Sequence, residues 1–242
     1  MLQRTEGIVL RTSPFGEADL IVTHLTLDHG IIKTFAKSPR KTKSRFGSSL
    51  EPLTCSRISF WGKEDAALPR LTQSDILYSF ASIRESLHCF VRASEIIELI
   101  LRLTPERESC AKVYPLLMRI LRSLEKECTA GLQLLYYKLK ILKISGYLPK
   151  LDSCGRCGKA GDSFFMNHGT VLCRKCSGGA ESVLMLSPVV VSLYANLLSW
   201  NLASISRIRP HERYMKELSS LIDEHVKYVM ERGLRTKEFR LP

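Results

Sequence analysis

Residues 20–36 read LIVTHLTLDHGIIKTFA, two apolar runs separated by a tight turn. Both runs are rich in β-branched residues, which favour strands. Asp28-His29-Gly30 supplies the turn, because glycine adopts a left-handed backbone conformation at little cost. So short a connection predicts an antiparallel hairpin at the centre of a β-rich region.

Similar runs lie on either side of this hairpin. We predict strands at residues 7–12, 20–27, 31–36, 53–61 and 67–72, and Pro69 indicates an edge position for the last of them. Five short strands in a small basic region fit a five-stranded Greek-key barrel, the OB-fold. An SH3-like barrel has a similar strand content, and strand patterns alone do not separate the two.

From about residue 79 onward the apolar period becomes helical. Apolar stripes predict helices around residues 93–101, 113–124 and 132–144, Ser187-Pro188 predicts the start of another, and a last helix is expected over 211–231 with Gly233 as its C-cap. We therefore predict an α+β protein. An OB-fold nucleic-acid-binding domain is expected at 1–78, and a helical domain at 79–242 with a zinc-binding insert at about 150–180.

Four of the eight cysteines form two C-x-x-C pairs about fifteen residues apart, a spacing typical of a zinc ribbon or knuckle. Gly155 and Gly158 allow each turn to bend tightly around the metal. Four thiolates fill a tetrahedron, so we predict one structural Zn²⁺ per chain, with disulfides or free thiols as the alternative. The predicted ligands are Cys154, Cys157, Cys173 and Cys176. The other four are expected to be small buried side chains: Cys55, Cys89, Cys110 and Cys128.

The formal net charge of +12 indicates a polyanionic partner, most simply nucleic acid. No acidic residue occurs between residues 31 and 50, and cations beside a barrel surface would follow a phosphate backbone. A solvated loop is the alternative interpretation. Phe35 is expected in the core, and Phe46 either in the core or stacked on a base. The predicted DNA-binding residues are Lys33, Lys37, Arg40, Lys41, Lys43 and Arg45.

A second group of cations surrounds the cysteine pairs: Arg156, Lys159, Arg174 and Lys175. They would offset the net negative charge of a zinc tetrathiolate, or they would contact phosphate. We find no phosphate-gripping loop, no H-E-x-x-H and no deaminase signature, so we expect no enzymatic activity. The sequence has neither a recognisable signal peptide nor an apolar run of about 20 residues, which predicts a cytoplasmic protein without a membrane partner.

Several segments, in this order and spacing, resemble the RecO family of bacterial recombination mediators. They comprise residues 7–10, 16–22, 36–37, 43–46, 50–52 and 234–239, together with the four paired cysteines. The family often has glycine where Ser38 stands and serine where Thr236 stands, and Pro39 stiffens the start of the basic loop. The cysteines match the zinc-bearing branch of the family.

The resemblance implies a nucleoid-associated protein of DNA repair and recombination that binds single- and double-stranded DNA and anneals complementary strands. It further implies work with RecR and single-strand-binding protein, so that RecA is loaded onto the coated strand. Two alternatives are an RNA-binding OB-fold and zinc-ribbon module and a protein–protein adaptor of the repair machinery. A hydrolase is the third alternative.

Overall fold

A computed structural model of the chain describes residues 1–41, 44–63, 66–107, 111–128, 131–160, 163–165, 169–178, 184–231 and 233–238. Five strands come first, and helices with a second, small sheet follow, which confirms the α+β class. The chain divides into two compact units, Met1–Cys128 and Thr129–Pro242. The predicted domain boundary after residue 78 falls at the end of the last barrel strand, and separate domains on either side of it stay a prediction.

The first five strands close into a barrel in the order β1-β2-β3-β5-β4. β3 and β5 are parallel, and all the other neighbours are antiparallel. A closed five-stranded barrel with this order is an OB-fold, as predicted. The strands are β1 Leu2–Phe15, β2 Asp19–Thr26, β3 Gly30–Ala36, β4 Thr54–Trp61 and β5 Arg70–Ser79.

Two barrel strands differ from their predicted extents. β1 continues past the predicted end at residue 12 through Pro14 to Phe15, and there it pairs with the start of β2. β5 begins after Pro69 and ends at Ser79, whereas the sequence predicted 67–72. Most side chains in the second half of β5 are exposed, so no alternation of apolar and polar residues marks that half as a strand.

The barrel interior is filled by apolar side chains from all five strands and from the 3₁₀ turn Gly47–Leu50. Burying each large side chain contributes about 1.5–3 kcal/mol. The cluster comprises Val9, Val22, Ile32, Ala36, Phe46, Leu50, Ile58, Phe60 and Leu71. His24 pairs with Val9 and Ile32 and is buried, and neither of its ring nitrogens has a hydrogen-bond partner among the described residues.

Three helices follow the barrel within the first compact unit: α1 Ala81–Glu85, α2 Leu87–Leu103 and α3 Val113–Lys126. Ser86 caps α2 by accepting a hydrogen bond from the Cys89 amide, and the helix ends just before Thr104-Pro105, because the residue before a proline disfavours the helical conformation. The apolar stripe predicted for α3 is buried.

The cysteines outside the paired motifs do not all behave as isolated apolar side chains. Cys89 and Cys128 form a disulfide across 39 residues, which ties the first turn of α2 to the segment after α3. Spacing alone carried no signal for this pair, because a disulfide depends on how the helices pack. Cys55 is buried as expected, with its sulfur 3.4 Å from the Tyr114 hydroxyl, and Cys110 lies outside the described residues.

The second compact unit combines helices with a small four-stranded sheet of order β6-β8-β7-β9. The sequence predicted helices in this unit but none of these strands, since strands of two to five residues are too short to show a period. Its elements are α4 Gly131–Ile144, β6 Lys150–Cys154, β7 Ser163–Phe165, β8 Thr170–Leu172, α5 Arg174–Ser177, β9 Leu184–Met185, α6 Pro188–Ser199, α7 Leu202–Ile205 and α8 Glu212–Val229. A 3₁₀ turn, Arg235–Glu238, follows.

Helix ends in this unit test the predicted caps. Ser187 caps α6 by accepting from the Val190 amide, with Pro188 in the first turn, as expected. Gly233 is not the C-cap of α8, because the helix ends at Val229 with Met230 as its C-cap, and Glu231 takes the left-handed conformation with φ 57°. In the described part of the chain, no helix is long and apolar enough to cross a membrane.

Candidate nucleic-acid interface and metal centre

The outer face of β3 alternates cations with an aromatic ring. Thr34 and Ala36 are buried, so Lys33, Phe35 and Lys37 lie on the opposite side of the strand. Phe35 is half-buried and stands outside the barrel core, so the expectation that it belongs to the core is wrong. Both lysines are exposed, and both are among the predicted DNA-binding residues.

The basic loop leaves β3 in a conformation held by the turn between β1 and β2. The Ser38 amide donates to the Asp19 carboxylate at 2.7 Å, and the Arg40 amide donates to the Ala18 carbonyl at 3.3 Å. Ser38 has a φ of 57°, a region of backbone conformation that favours glycine. These bonds keep the first residues of the loop beside the barrel.

Three cations of this segment have no carboxylate partner among the described residues: Lys37, Arg40 and Lys41. All three are exposed. Because these side chains are exposed and have no such carboxylate partner, their charge is available to a ligand in solution. Lys43 lies outside the described residues.

The end of the loop turns back onto the barrel. Phe46 is 3% exposed and belongs to the barrel core, so it offers no surface to a base. The Arg45 guanidinium lies 4.9 Å from the centre of the Phe46 ring, and it donates to the Leu71 carbonyl at 3.5 Å. Arg45 is thus partly engaged by the fold, although its side chain stays exposed.

The barrel surface carries aromatic residues that the sequence analysis did not assign. Trp61 is 60% exposed and Phe15 is 50% exposed, and the Phe15 ring meets that of Phe35 edge to face at 5.7 Å. Trp61 ends β4 one residue after the core residue Phe60. Strand alternation indicates that Phe60 and Trp61 face opposite sides of β4, and the closure of the barrel decides that Trp61 is the exposed one.

The four paired cysteines meet at one point. One ligand atom from each residue lies within 4.8 Å of all the others, and the sulfurs of Cys157 and Cys173 are 3.7 Å apart. A tetrahedron with metal–sulfur distances of about 2.3 Å has edges of about 3.8 Å. The spacing of these sulfurs therefore fits a metal ion, and the thiolate donor set suits Zn²⁺. The four residues are Cys154, Cys157, Cys173 and Cys176.

Tight backbone turns bring these sulfurs together. Gly158 has a φ of 72°, and its amide donates to the Cys154 carbonyl at 2.8 Å. A Cβ on Gly155 would lie 2.5 Å from the Thr170 methyl carbon, so only glycine fits between β6 and β8. Gly158 has the role that the sequence indicated, whereas Gly155 is required by lack of space beside Thr170.

The thiols of the cysteine cluster have different pKa values because they lie close together. Hydrogen bonds from backbone amides, that of Cys173 foremost, lower the pKa of Cys154 to about 6. Hydrogen bonding with the neighbouring sulfurs, first with Cys173, raises the pKa of Cys176 to about 12. Four thiolates this near one another repel, and a divalent cation offsets that repulsion.

The cations around the cysteine cluster are exposed: Arg156, Lys159, Arg174 and Lys175. The Arg156 guanidinium donates to the Cys176 carbonyl at 3.1 Å, so it also braces the site. Their position beside four thiolates suits compensation of the negative charge. That these cations contact phosphate stays a prediction.

Comparisons with known proteins cover nearly the whole chain. A family profile described as "Recombination protein O N terminal" matches residues 1–80, and one described as "Recombination protein O C terminal" matches residues 84–238. This chain belongs to the RecO family. Curated relatives named "DNA repair protein RecO" agree with this membership. That of Thermodesulfovibrio yellowstonii is 38% identical over 92% of this chain and 91% of its own length.

Two further relatives of the same name extend the agreement. The RecO of Frankia casuarinae is 38% identical over 96% of this chain and 95% of its own. The RecO of Streptomyces coelicolor is 32% identical over 98% of both chains. The chain is therefore a RecO-family DNA repair protein. Its structure contains a closed five-stranded barrel and a group of four cysteines.

Proposed function

We propose that this RecO-family protein binds DNA strands through the outer face of its barrel and promotes pairing of complementary strands without nucleotide hydrolysis. The observation that supports this proposal is the group of exposed, uncompensated cations at the end of β3: Lys37, Arg40 and Lys41. We call this group the loop cations. Their charge is available to phosphates, whereas the fold already engages Lys33 and Arg45 in part.

Counterion release supplies the affinity in this mechanism. Each lysine or arginine that contacts a phosphate displaces a condensed cation from the strand, and the gain does not depend on base sequence. A protein holding two strands in this way raises the local concentration of complementary bases. Base pairing then provides the free energy of annealing, and the protein needs no catalytic group for it.

Because the chain belongs to a DNA repair family, we extend the proposal to partner proteins. We propose that the chain acts with RecR on strands coated by single-strand-binding protein, so that RecA is loaded there. We further propose that Zn²⁺ occupies the cysteine cluster as a structural ion, held by Cys154, Cys157, Cys173 and Cys176. Four thiolates would leave no coordination position for substrate, so the ion would stabilise the fold of β6 to α5.

The test of DNA binding is affinity as a function of salt. Fluorescence anisotropy with labelled oligo(dT) should give a linear fall of log K with log[KCl], and Arg40→Ala and Lys41→Ala should each flatten the slope by roughly one. Lys227→Ala on α8 removes an exposed charge elsewhere and should leave the slope unchanged. A slope near zero, or equal effects of all three substitutions, would contradict the proposal.

The test of pairing is annealing of complementary oligonucleotides in the absence of ATP, with and without single-strand-binding protein. The Arg40→Ala, Lys41→Ala double variant should anneal more slowly than the wild-type protein under both conditions. Competition between single-stranded DNA and RNA of equal length separates this proposal from an RNA-binding role, which RNA preference would favour.

A further inference from the structure

A row of outward-facing side chains crosses the barrel at the level of Trp61. In the strand register Leu2 pairs with Trp61, Trp61 pairs with Arg70, Arg70 pairs with Phe35, and Phe35 pairs with Ile21. Residues paired across neighbouring strands point to the same face of a sheet. The adjacent residues Phe60, Leu71 and Ala36 all belong to the interior cluster, which confirms that this row faces outward.

Aromatic rings occupy two positions of this row with an arginine between them. Trp61 is 60% exposed, and Phe35 is half-buried in edge-to-face contact with Phe15, which is itself 50% exposed. One strand separates Trp61 from Phe35, so their backbones lie about 10 Å apart. The Phe35 amide donates to the Pro69 carbonyl at 2.8 Å, which holds β3 against the start of β5 and keeps Arg70 in place between the rings.

Charge accompanies the rings on this face. Arg70 is exposed and has no carboxylate within ion-pair distance among the described residues, and Lys37 lies two residues beyond Phe35 on the same side of β3. Exposed rings without charge would suit an apolar protein segment. Rings interleaved with free cations suit a ligand that has flat apolar faces and a polyanionic backbone.

We propose that Trp61, Phe35 and Phe15 form a base-stacking shelf for a single strand, with Arg70 binding the phosphate between two stacked bases. This inference rests on the proposed function and deepens it, because it names the groups that would distinguish single strands from duplex. Bases in a duplex have both faces covered by their neighbours, so the shelf accepts only unstacked bases. The loop cations bind either form through phosphates.

Two ligands of equal charge test the shelf. Oligo(dT) and an abasic oligodeoxyribonucleotide of the same length carry the same phosphates, and only the first has bases to stack. Trp61→Ala should weaken oligo(dT) binding by about tenfold and leave abasic binding unchanged, whereas Trp61→Phe should retain most of the affinity. Arg70→Ala should weaken both ligands alike and flatten the salt slope by about one.

Tryptophan emission gives an independent measurement. The chain has two tryptophans, so the Trp200→Phe variant isolates Trp61. Binding of oligo(dT) to this variant should quench its emission strongly, while the abasic strand should quench it little. Circular dichroism and thermal melting confirm that each variant is folded before its affinity is interpreted.

Specific outcomes overturn the shelf. Unchanged oligo(dT) affinity in Trp61→Ala, equal losses for both ligands, or unchanged Trp61 emission on binding would each exclude stacking and would favour a protein segment as the occupant of this face. If the proposed function is wrong, the result differs from all of these: the wild-type protein itself would bind the abasic strand without any salt dependence.

Discussion

The Glu106 carboxylate pairs with the Lys33 ammonium, at the edge of the barrel face that carries the loop cations. The backbone supports this contact, because Ile31 and Glu106 form a β-bridge and the Arg107 amide donates to the Ile31 carbonyl at 3.0 Å. The segment after α2 therefore places a negative charge beside a predicted DNA-binding lysine. Lys33 differs in this respect from Lys37, Arg40 and Lys41.

Removing this carboxylate should strengthen DNA binding. Glu106→Gln frees Lys33 for phosphate, so affinity for oligo(dT) at low salt should rise severalfold and the logarithmic salt slope should steepen by about one. Glu212→Gln is the matched control, since it makes the same charge change at the exposed Glu212–Lys216 pair of α8. Equal gains in both variants would mean that net charge alone matters and that the Lys33–Glu106 pair does not.

The cysteine cluster should hold one metal ion per chain. Mass spectrometry of metals in the purified protein should find zinc at a ratio of about one, and Cys154→Ser should lose it because three thiolates bind the ion more weakly. Cys55→Ser, at a buried cysteine outside the cluster, should retain the zinc. Retention of the metal in Cys154→Ser would exclude the four-cysteine site.

Acid should destabilise the barrel through His24. Burial lowers the pKa of this histidine from 6.5 to about 4, so the unfolded chain binds the proton more readily than the folded chain. Stability is therefore complete above about pH 6.5 and is lost as the pH falls toward 4, by about 3 kcal/mol for this group.

Urea unfolding between pH 7 and pH 4 measures this loss. His24→Leu should flatten the dependence of unfolding free energy on pH, whereas His88→Gln, at an exposed position on α2, should leave it as in the wild-type protein. An unchanged profile in His24→Leu would show that other groups control acid stability.

The Cys89–Cys128 disulfide should contribute to stability under oxidising conditions. Closing a loop of 39 residues reduces the entropy of the unfolded chain by an amount equivalent to about 4 kcal/mol. Cys128→Ser should therefore unfold at lower urea concentration, and a phosphine reductant should shift the wild-type curve by a similar amount while leaving the variant unchanged. Alkylation followed by intact mass measurement should find two further thiols after reduction, and an equal count before and after would contradict the bond.

Local patterns predicted several features because their physics is local. The hairpin at 20–36 follows from β-branched runs around a glycine turn, and the Ser187-Pro188 helix start follows from capping. The cysteine cluster follows from spacing, since each C-x-x-C turn directs two sulfurs to one point. The short strands β6 to β9 and the exposed second half of β5 show no apolar period, so the sequence did not predict them.

The positions of Phe35 and Phe46 show the limit of such patterns. Phe46 stands in a polar loop and yet fills the barrel, while Phe35 stands in an apolar strand and yet faces outward. Only the closure of the barrel decides which residues it encloses. Trp61 escaped notice in the same way, because its exposure depends on which face of β4 the barrel buries.

The amino-acid sequence by itself determined the existence of the barrel strands, the grouping of the four paired cysteines and the family, since period, spacing and segment order are properties of the chain alone. Tertiary structure decided which cations are free and which rings are exposed. Glu106 reaches Lys33, and Arg70 lies between Phe35 and Trp61, through strand pairing between segments distant in sequence. Long-range contacts of this kind depend on how the barrel closes, and no local pattern encodes them.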